Sequence, residues 1–544
     1  MKEHPANDLT ATISTHISAL DGWKYQTCRE AIVSLAKLGP AAIDAVPALI
    51  VILKCRNLHL RPVAAAALGE IGAVAAAPAL IQEAALPNSK DPGAALTALK
   101  KLGPAALPAI SHALNSDDPR LRTVAASCLG SLGLSGYQAM AYQTEALRDD
   151  AASVRVTAIN SLRSFGEDAL PFFISALSDP DCSCRHWAAV AIGELGPNAH
   201  RAIPDLLSLF DGADEHLCKA VATALSNIGP LAAPGLIGIL NGHEIQSRIA
   251  AANGLGEMEP PPTVAFSSLI EAARDPSVPL RAAAVRALGS IGRLCIEAVP
   301  ELIRAVSDTG RGIRWNAIKA LGMCGPNSAL AVPLLVETLA DSDHYMRSVA
   351  AESLAKVGVQ AQPAIPQLIA ALNDSSKRVR RYAAEALGSI GPAAVSALPA
   401  LIQVYEDEVN WLHELSHSRF FNLEYGEQLE VVERPPDLDI NAGFDDESVE
   451  LRIAVIHAIG EFGALAAEAI PLLVRALSDY PWDIRAAAAV ALGKMGPAAY
   501  DAIPVLEGIL STPYDDWQPD HRIDPEILES SLRSIQSTVA PSSE

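Results

Sequence analysis

The chain has 544 residues, and its formal net charge at pH 7 is −22, with 41 Lys and Arg against 63 Asp and Glu. Half of the residues are apolar but only 5% are aromatic, which is typical of closely packed helices rich in Ala and Leu. An acidic protein lacks the basic face that displaces counterions from nucleic acid, and anionic membrane surfaces repel it. We therefore expect no nucleic-acid partner and no membrane partner.

Three features of the sequence bear on the cell compartment. The N-terminal residues contain no apolar core of the secretory type. The longest uncharged run, 220–240, is long enough to span a bilayer, but Gly229, Pro230 and Pro234 interrupt it and predict two short helices instead. The eight cysteines have no regular spacing, which is typical of reduced side chains that fill small apolar spaces. We predict a cytoplasmic protein.

One unit recurs fourteen times along the chain. Residues 374–391, DSSKRVRRYAAEALGSIG, and residues 479–496, DYPWDIRAAAAVALGKMG, are two of the copies. Each copy ends at a glycine, except for one divergent copy that ends at Glu259. The end positions are 30 to 33 residues apart, except for a step of 72 between Gly391 and Gly463. Such a period is typical of solenoids, and the long step indicates an insertion of 39 residues.

Each copy is predicted to form two helices. In the copy at 374–391, Val379, Ala383 and Leu387 recur at the spacing of one helix face. Asp374 stands where an N-terminal cap or an acidic first turn is favoured. This first helix would therefore present one apolar face to its neighbours.

Glycine and proline mark where the helices of a copy end and begin. Gly391 is typical of a helix end, and Pro399, within the segment PAAVSALPALI, should kink the second helix or mark its true start. A single pair cannot bury its apolar face but stacked pairs can, so the sequence predicts an all-α solenoid of about fourteen two-helix repeats. Its predicted parts are the first twelve copies at 1–405, the insertion at 406–444, the last two copies at 445–510, a linker at 511–525, and a capping helix with its tail at 526–544.

The unit D-x5-R-x2-A-A-x-A-L-G-x-I-G-P-x-A-x2-A-x-P-x-L-I resembles the HEAT-like repeat of the phycobilisome lyase type. The resemblance covers nearly all of the chain outside the insertion and the two ends, and it implies a right-handed α-α superhelix. Repeats of this kind resemble units of bilin-attaching lyases, of deoxyhypusine hydroxylase and of many scaffolds. Deoxyhypusine hydroxylase needs His-Glu pairs inside repeated helices to hold two irons. Here His243-Glu244 falls in a loop and His413-Glu414 falls in the insertion, so no such set is evident.

Arginine recurs at one position of the unit. It stands eleven residues before the end position in eleven copies, and Asp stands six residues before the Arg in eight of these. We interpret the pattern as a ladder of Asp and Arg through the loops between repeats, since the forked donors of Arg suit carboxylates. The alternative is an anion-binding stripe. The eight aspartates are Asp149, Asp179, Asp275, Asp308, Asp341, Asp374, Asp446 and Asp479.

The insertion concentrates acidic and aromatic side chains. Residues 400–450 contain 14 acids and two bases, and the segment is expected to begin as an extension of its repeat's second helix. Aromatic side chains give large contact area at low entropic cost, so we predict that the main recognition surface includes the insertion. Its carboxylates would favour a basic partner and make binding salt-sensitive. The alternative is that the aromatics pad the extended helix. The predicted anchors are Trp411, Phe420, Phe421 and Tyr425.

The insertion also contains the sequence HELSH, which resembles the H-E-x-x-H pattern of zinc metallopeptidases. On a helix, His413 and His417 would share a face and could bind one zinc ion, with Glu414 as the general base. Phe420 stands where the extended pattern of one such family has Gly, and no third ligand is evident. We therefore expect a fortuitous match with no cofactor and no catalytic residue, and keep a zinc site as the alternative.

The predicted function follows from the array itself. Stacked repeats supply a long concave surface, and the sequence shows no clear catalytic set. We predict a non-enzymatic scaffold that binds a protein or peptide on that concave face. The alternative is an enzyme of the bilin lyase or metal-dependent kind that uses the insertion.

Overall fold

The computed structural model describes residues 5–22, 24–55, 57–130, 132, 136–291, 296–421, 446–479, 481–511 and 523–536. For residues 5–8, 136–139 and 411–421 it describes the backbone alone. Across these ranges the chain contains 30 α-helices and no β-strand. The chain divides into two compact units, residues 1–260 and residues 261–544.

The helices of the first unit are α1 (Pro5–Leu20), α2 (Tyr25–Leu38), α3 (Val46–Leu53), α4 (Leu60–Ile71), α5 (Ala77–Ala85), α6 (Pro92–Leu102), α7 (Leu107–Leu114), α8 (Pro119–Leu129), α9 (Gly136–Ala146), α10 (Ala152–Leu162), α11 (Leu170–Ala176), α12 (Cys182–Glu194), α13 (Ile203–Ser208), α14 (Glu215–Ile228), α15 (Ala233–Leu240) and α16 (Ile245–Glu257).

The helices of the second unit are α17 (Phe266–Ala272), α18 (Val278–Ile291), α19 (Ala298–Val306), α20 (Arg311–Met323), α21 (Val332–Thr338), α22 (His344–Val357), α23 (Ile365–Ala371), α24 (Lys377–Ile390), α25 (Leu398–Phe421), α26 (Asp446–Glu461), α27 (Ile470–Ala476), α28 (Trp482–Met495), α29 (Ile503–Ser511) and α30 (Pro525–Gln536).

Along the chain, α2 to α29 form fourteen consecutive pairs, as the repeat count predicted. Most pairs are joined by a short 3-10 segment. These segments are Gly39–Ala45, Val74–Ala76, Gly103–Ala106, Arg163–Ala169, Gly196–Ala202, Pro230–Ala232, Thr263–Ala265, Gly325–Ala331, Gly358–Ala364, Gly391–Ala397, Gly463–Ala469 and Gly496–Ala502.

The pair of α24 and α25 shows how the sequence sets the helix ends. Gly391 has a φ of +78°, which L side chains rarely adopt, and it ends α24. Pro399 is the second residue of α25, so it marks the start of the second helix and does not kink it. Asp374 is not the cap of α24, because Ser376 holds that position and the carboxylate of Asp374 accepts its main-chain N–H at 2.9 Å.

Within the second unit, the first helices of successive pairs form one layer. This first-helix layer consists of α18, α20, α22, α24, α26 and α28, each packed against the next. The helices approach so closely that a Cβ on Gly289 would lie 2.5 Å from the Cβ of Ala320. Across the insertion, a Cβ on Gly388 would lie 2.9 Å from the Cα of Ala458. The insertion therefore leaves the stacking of α24 on α26 intact.

The last helix packs on the end of this layer. Leu528, Leu532 and Ile535 of α30 are buried, and α30 contacts α28. The hydroxyl of Ser534 donates to the main-chain oxygen of Gly493 at 2.8 Å. These contacts cover an apolar face that the final pair would otherwise expose to water.

Two helical stretches, 25–53 and 377–410, are long and apolar enough to cross a membrane by length and composition alone. Each consists of the two helices of one pair. Gly39 and Gly391, both with positive φ, separate the helices. Neither stretch is therefore one straight helix.

Candidate functional site

Arginine–aspartate pairs join the loops of successive repeats. Arg347 donates through Nε and Nη2 to the carboxylate of Asp374 at 2.7 and 2.8 Å, and through Nη1 to the main-chain oxygen of Asp341 at 2.9 Å. Each such Arg thus binds its own loop by the carbonyl and the next repeat by the carboxylate. The predicted ladder is present, but the carboxylate partner is not the Asp six residues earlier. Further pairs are Arg122–Asp149, Arg155–Asp179, Arg281–Asp308, Arg314–Asp341 and Arg452–Asp479.

The paired charges stabilise one another. Hydrogen bonds from Arg281 hold the pKa of the Asp308 carboxyl below its ordinary value, against the burial that would raise it. Asp308 also accepts the main-chain N–H of Gly310 at 2.8 Å, which fixes the loop before α20. These guanidinium groups are engaged by protein oxygens, so they do not form the anion-binding stripe that was the alternative interpretation.

At the insertion, the ladder uses a different carboxylate. The repeat pattern assigned Asp446 to the ladder, but this residue lies exposed at the start of α26. Arg380 donates instead to Glu408 at 2.7 Å, and Ser448 donates to the other carboxylate oxygen of Glu408 at 2.6 Å. The pattern placed Asp446 in the ladder as the acid six residues before Arg452, but Arg452 forms its ion pair with Asp479 of the next repeat. Glu408 lies 28 residues after Arg380, close to the usual separation of 27.

The start of the insertion is fixed to the following repeats. The Tyr405 hydroxyl donates to Asp479 at 2.7 Å, and burial together with the Asp479 charge raises the pKa of Tyr405. Glu406 forms an ion pair with Arg475. The first turns of α25 are therefore part of the array.

The predicted anchors and metal ligands lie at or beyond the end of α25. The helix runs to Phe421, as its predicted extension required. Trp411, His413, Glu414, His417, Phe420 and Phe421 belong to its last three turns, with side chains outside the described residues, and Tyr425 lies outside them altogether. Among the side chains that the structure describes, no group of three His, Cys, Asp or Glu could hold a metal ion. Recognition by the insertion and the zinc alternative both stay predictions.

A groove on the first-helix layer forms a separate candidate site. It lies across α20, α22 and α24 and has a volume of about 430 Å³. Trp315 is 36% exposed and Tyr345 is 51% exposed, while Met346 at the base is 1% exposed. Arg378 of α24 lines the same groove. We call this the aromatic groove. Its volume is in the range of ligand pockets, which are about 300–1,000 Å³.

Cations stack on the aromatic rings in and beside this groove. Lys319 Nζ lies 4.8 Å from the ring centre of Trp315. The guanidinium groups of Arg378 and Arg381 lie 5.7 and 4.5 Å from the ring centre of Tyr382. Such contacts hold the rings in place and raise the local positive charge.

The first unit has a counterpart on the same face of its repeats. A cleft between α14 and α16 is lined by Lys219, Thr223, Gln246 and Ile249 and has a volume of about 90 Å³. No aromatic side chain lines it. We call it the plain cleft. Lys219 and Trp315 both stand ten residues before the end of their repeats, so the residue at this position determines whether an aromatic ring lines the site.

The sequence contains one signal for the aromatic groove, which the repeat pattern alone does not predict. Trp315 interrupts a position where neighbouring copies have Ala282 and Ser348. The chain has only six Trp, so a Trp at a position where the neighbouring copies have small side chains is a departure from the repeat unit.

The fourteen consecutive helix pairs place the chain in the class of helical-repeat proteins. A family model of HEAT repeats matches residues 140–226, 266–355, 332–414 and 440–518, which is more than half of the chain. The chain therefore belongs to the HEAT repeat family. This confirms the predicted repeat type and all-α superhelical class, while the phycobilisome lyase subtype stays a prediction.

Solved structures agree on the fold. Importin beta, crystallised in ammonium sulfate, superposes with a TM-score of 0.65 at 15% identity, over 97% of this chain and 80% of that chain. Kap95p in complex with RanGDP gives 0.65 at 13% identity, over 98% and 79%. Kap121p bound to Nup53p gives 0.55 at 14% identity, over 99% and 71%. No curated protein sequence matches the chain significantly.

Proposed function

We propose that the protein is a non-enzymatic scaffold that binds a partner protein or peptide on its concave face. The observation that carries the proposal is the aromatic groove, where Trp315 and Tyr345 are exposed on a helix layer that otherwise packs with Ala and Leu. Exposed aromatic side chains that line a groove are typical of protein interfaces.

We place the concave face of the second unit on its first-helix layer. Consecutive first helices contact one another extensively, whereas consecutive second helices touch at few residues. In a curved stack the more closely spaced row lies on the inner side. The aromatic groove would then open on the inner, concave side, where repeat proteins present extended binding surfaces.

The structural neighbours support a protein partner. They include Kap121p bound to Nup53p and to the extreme C-terminus of Cdc14p, and Kap95 in a complex with Nup1. These solenoids resemble this chain in fold, and by analogy a HEAT array of this length suits the capture of protein segments. We also propose that the scaffold acts in the cytoplasm.

The insertion is proposed as a second contact, toward a basic region of the partner. Its carboxylates would speed encounter and make binding salt-dependent. The anchors in this proposal are Trp411, Phe420, Phe421 and Tyr425.

The test is partner capture by the full-length chain at low and high salt, followed by cross-linking. We expect a reproducible partner with cross-links to the first-helix layer, and weaker capture when the four insertion anchors are changed to Ala. Leu330→Ser is the control, because Leu330 is 74% exposed but lies outside that layer. Absence of any partner, or cross-links confined to other faces, would refute the scaffold.

The enzyme alternative is tested on the same protein. We expect no bound zinc in the purified chain and no change when His413 and His417 become Ala. Stoichiometric zinc that those two substitutions remove would favour the metal-dependent alternative, with Glu414 as the candidate base.

A further inference from the structure

We propose that the aromatic groove binds an extended acidic segment of the partner, in which an aromatic or large aliphatic side chain stands beside carboxylates. This inference deepens the proposed scaffold function and rests on it. It concerns the described surface of α20, α22 and α24 and is independent of the insertion.

The apolar part of the groove suits one large side chain. Trp315 of α20 and Tyr345 of α22 line the opening, and Met346 and Val349, exposed by 1% and 2%, form its base. A ring placed there would be buried against apolar groups, as the anchor residues of protein interfaces are. Rigid rings lose little entropy on binding, since they have only two rotatable bonds.

Most charges that line the groove are already paired. Arg311 Nη2 lies 2.5 Å from a carboxylate oxygen of Asp343, and Lys356 Nζ lies 2.6 Å from Glu352. Those pairs contribute no net charge to the groove. The acids that line the opening are therefore neutralised within the protein.

Two cations beside the groove have no such carboxylate. Lys319 lies over Trp315 and Arg378 over Tyr382. Neither forms an ion pair with any carboxylate that the structure describes. They leave a local positive potential in a chain whose net charge is −22.

The positive charges of Lys319 and Arg378 determine which charge a bound segment should have. A basic segment would bring a further cation close to Arg378, which lines the groove, and to Lys319, which already covers the ring of Trp315, and like charges repel. A carboxylate would instead form charge-assisted hydrogen bonds with those two donors. The geometry therefore points to an acidic segment, opposite in charge to the one proposed for the insertion.

The experiment uses the full-length chain and three labelled peptides of equal length. The first contains Phe flanked by Asp and Glu, the second has Lys in place of the acids, and the third has Ala in place of Phe. Fluorescence anisotropy gives each affinity at two salt concentrations. We expect the first peptide to bind about tenfold or more tightly than either of the others, with an affinity that falls as salt rises.

Matched variants locate the site. Trp315→Ala and Arg378→Glu should each weaken binding of the acidic Phe peptide about tenfold or more, while Lys219→Ala in the plain cleft should leave it unchanged. Both groove residues are solvent-accessible, so circular dichroism should show an unchanged fold. Arg378→Gln, which removes charge but keeps a polar side chain, should have an intermediate effect.

Several results would overturn the inference. These are equal binding of the Lys and acidic peptides, unchanged binding in both groove variants, or an acidic oligonucleotide competing as well as the peptide. If those results occur while the chain still captures a partner elsewhere, only the groove assignment fails. If the chain captures no partner at all, the scaffold function fails as well.

Discussion

The aromatic groove and the plain cleft are built from the same repeat but differ in what they offer a ligand. Both lie between first helices and use the same positions, yet their volumes are about 430 and 90 Å³. The plain cleft has Lys219 and Gln246 at the positions that hold Trp315 and Tyr345 in the aromatic groove. The repeat backbone alone therefore gives a shallow cleft, and two aromatic side chains convert it into a groove.

The arginines show the same division between fold and binding. Arg281 and Arg347 are engaged by carboxylates of the next repeat and hold the array together. Arg378 stands two residues before the ladder position, which Arg380 holds in that repeat, and it stacks on the ring of Tyr382. A change in the first kind should affect stability, and a change in the second kind should affect binding.

The largest stability effect is expected from breaking the ladder. Asp308→Ala would leave the poorly accessible Arg281 without its carboxylate partner, so the free energy of unfolding should fall by about 2–3 kcal/mol. Urea denaturation followed by circular dichroism measures it. Glu70→Ala is the control, because Glu70 pairs with Lys101 at the surface and such pairs contribute about 0–1 kcal/mol. Equal losses in the two variants would contradict a structural role for the ladder.

The next effect concerns the close approach of the first helices. Gly289→Ala would place a Cβ 2.5 Å from that of Ala320, and overpacking of this kind costs about 1–3 kcal/mol. Gly238→Ala in α15 is the matched control, because no atom lies within 4 Å of its added Cβ. That control should be neutral or slightly stabilising. A neutral Gly289→Ala would show that the layer is looser than described.

A graft tests whether two side chains account for the difference between the grooves. Lys219→Trp combined with Gln246→Tyr places rings at the positions of Trp315 and Tyr345. In a Trp315→Ala background, the graft should restore binding of the acidic Phe peptide several-fold. Peptide binding is read by fluorescence anisotropy. Failure to restore any binding would mean that the stacked cations or the local curvature contribute more than the rings.

Acid should weaken the ladder gradually. Burial alone would raise the pKa of Asp374, but hydrogen bonds from Arg347 lower it, and Asp308 is shifted in the same direction by Arg281. Carboxylates with a lowered folded pKa stabilise the protein above about pH 4 and lose that effect as pH falls through the folded pKa. The midpoint of thermal unfolding should therefore change little from pH 7 to 5 and fall below pH 4. Asp308→Asn should reduce the acid dependence.

The fold was predictable from the sequence because each repeat contains the residues that set its buried face and its helix ends. The spacing of Val379, Ala383 and Leu387 gives the buried face, and Gly391 gives the helix end. The start of α25 at Leu398 could not be predicted from the sequence, because a proline such as Pro399 is compatible with a kink inside a helix and with its first turn.

The pairing of charges was less predictable. The sequence shows each Arg near an Asp six residues earlier, but stacking brings the next repeat's Asp closer, as for Arg347 and Asp374. Glu408 replaces Asp446 in the ladder because the insertion changes which acid is near in space. Such contacts depend on how repeats stack, and a linear pattern does not contain that information.

The most direct test of the central claim is hydrogen–deuterium exchange of the full-length chain with and without the partner protein that it captures. The account predicts slower exchange in α20, α22 and α24, at residues 311–319, 344–352 and 377–385, and no change in α14 and α16. Protection confined to second helices, or to residues 1–260, would contradict binding on the first-helix layer of the second unit.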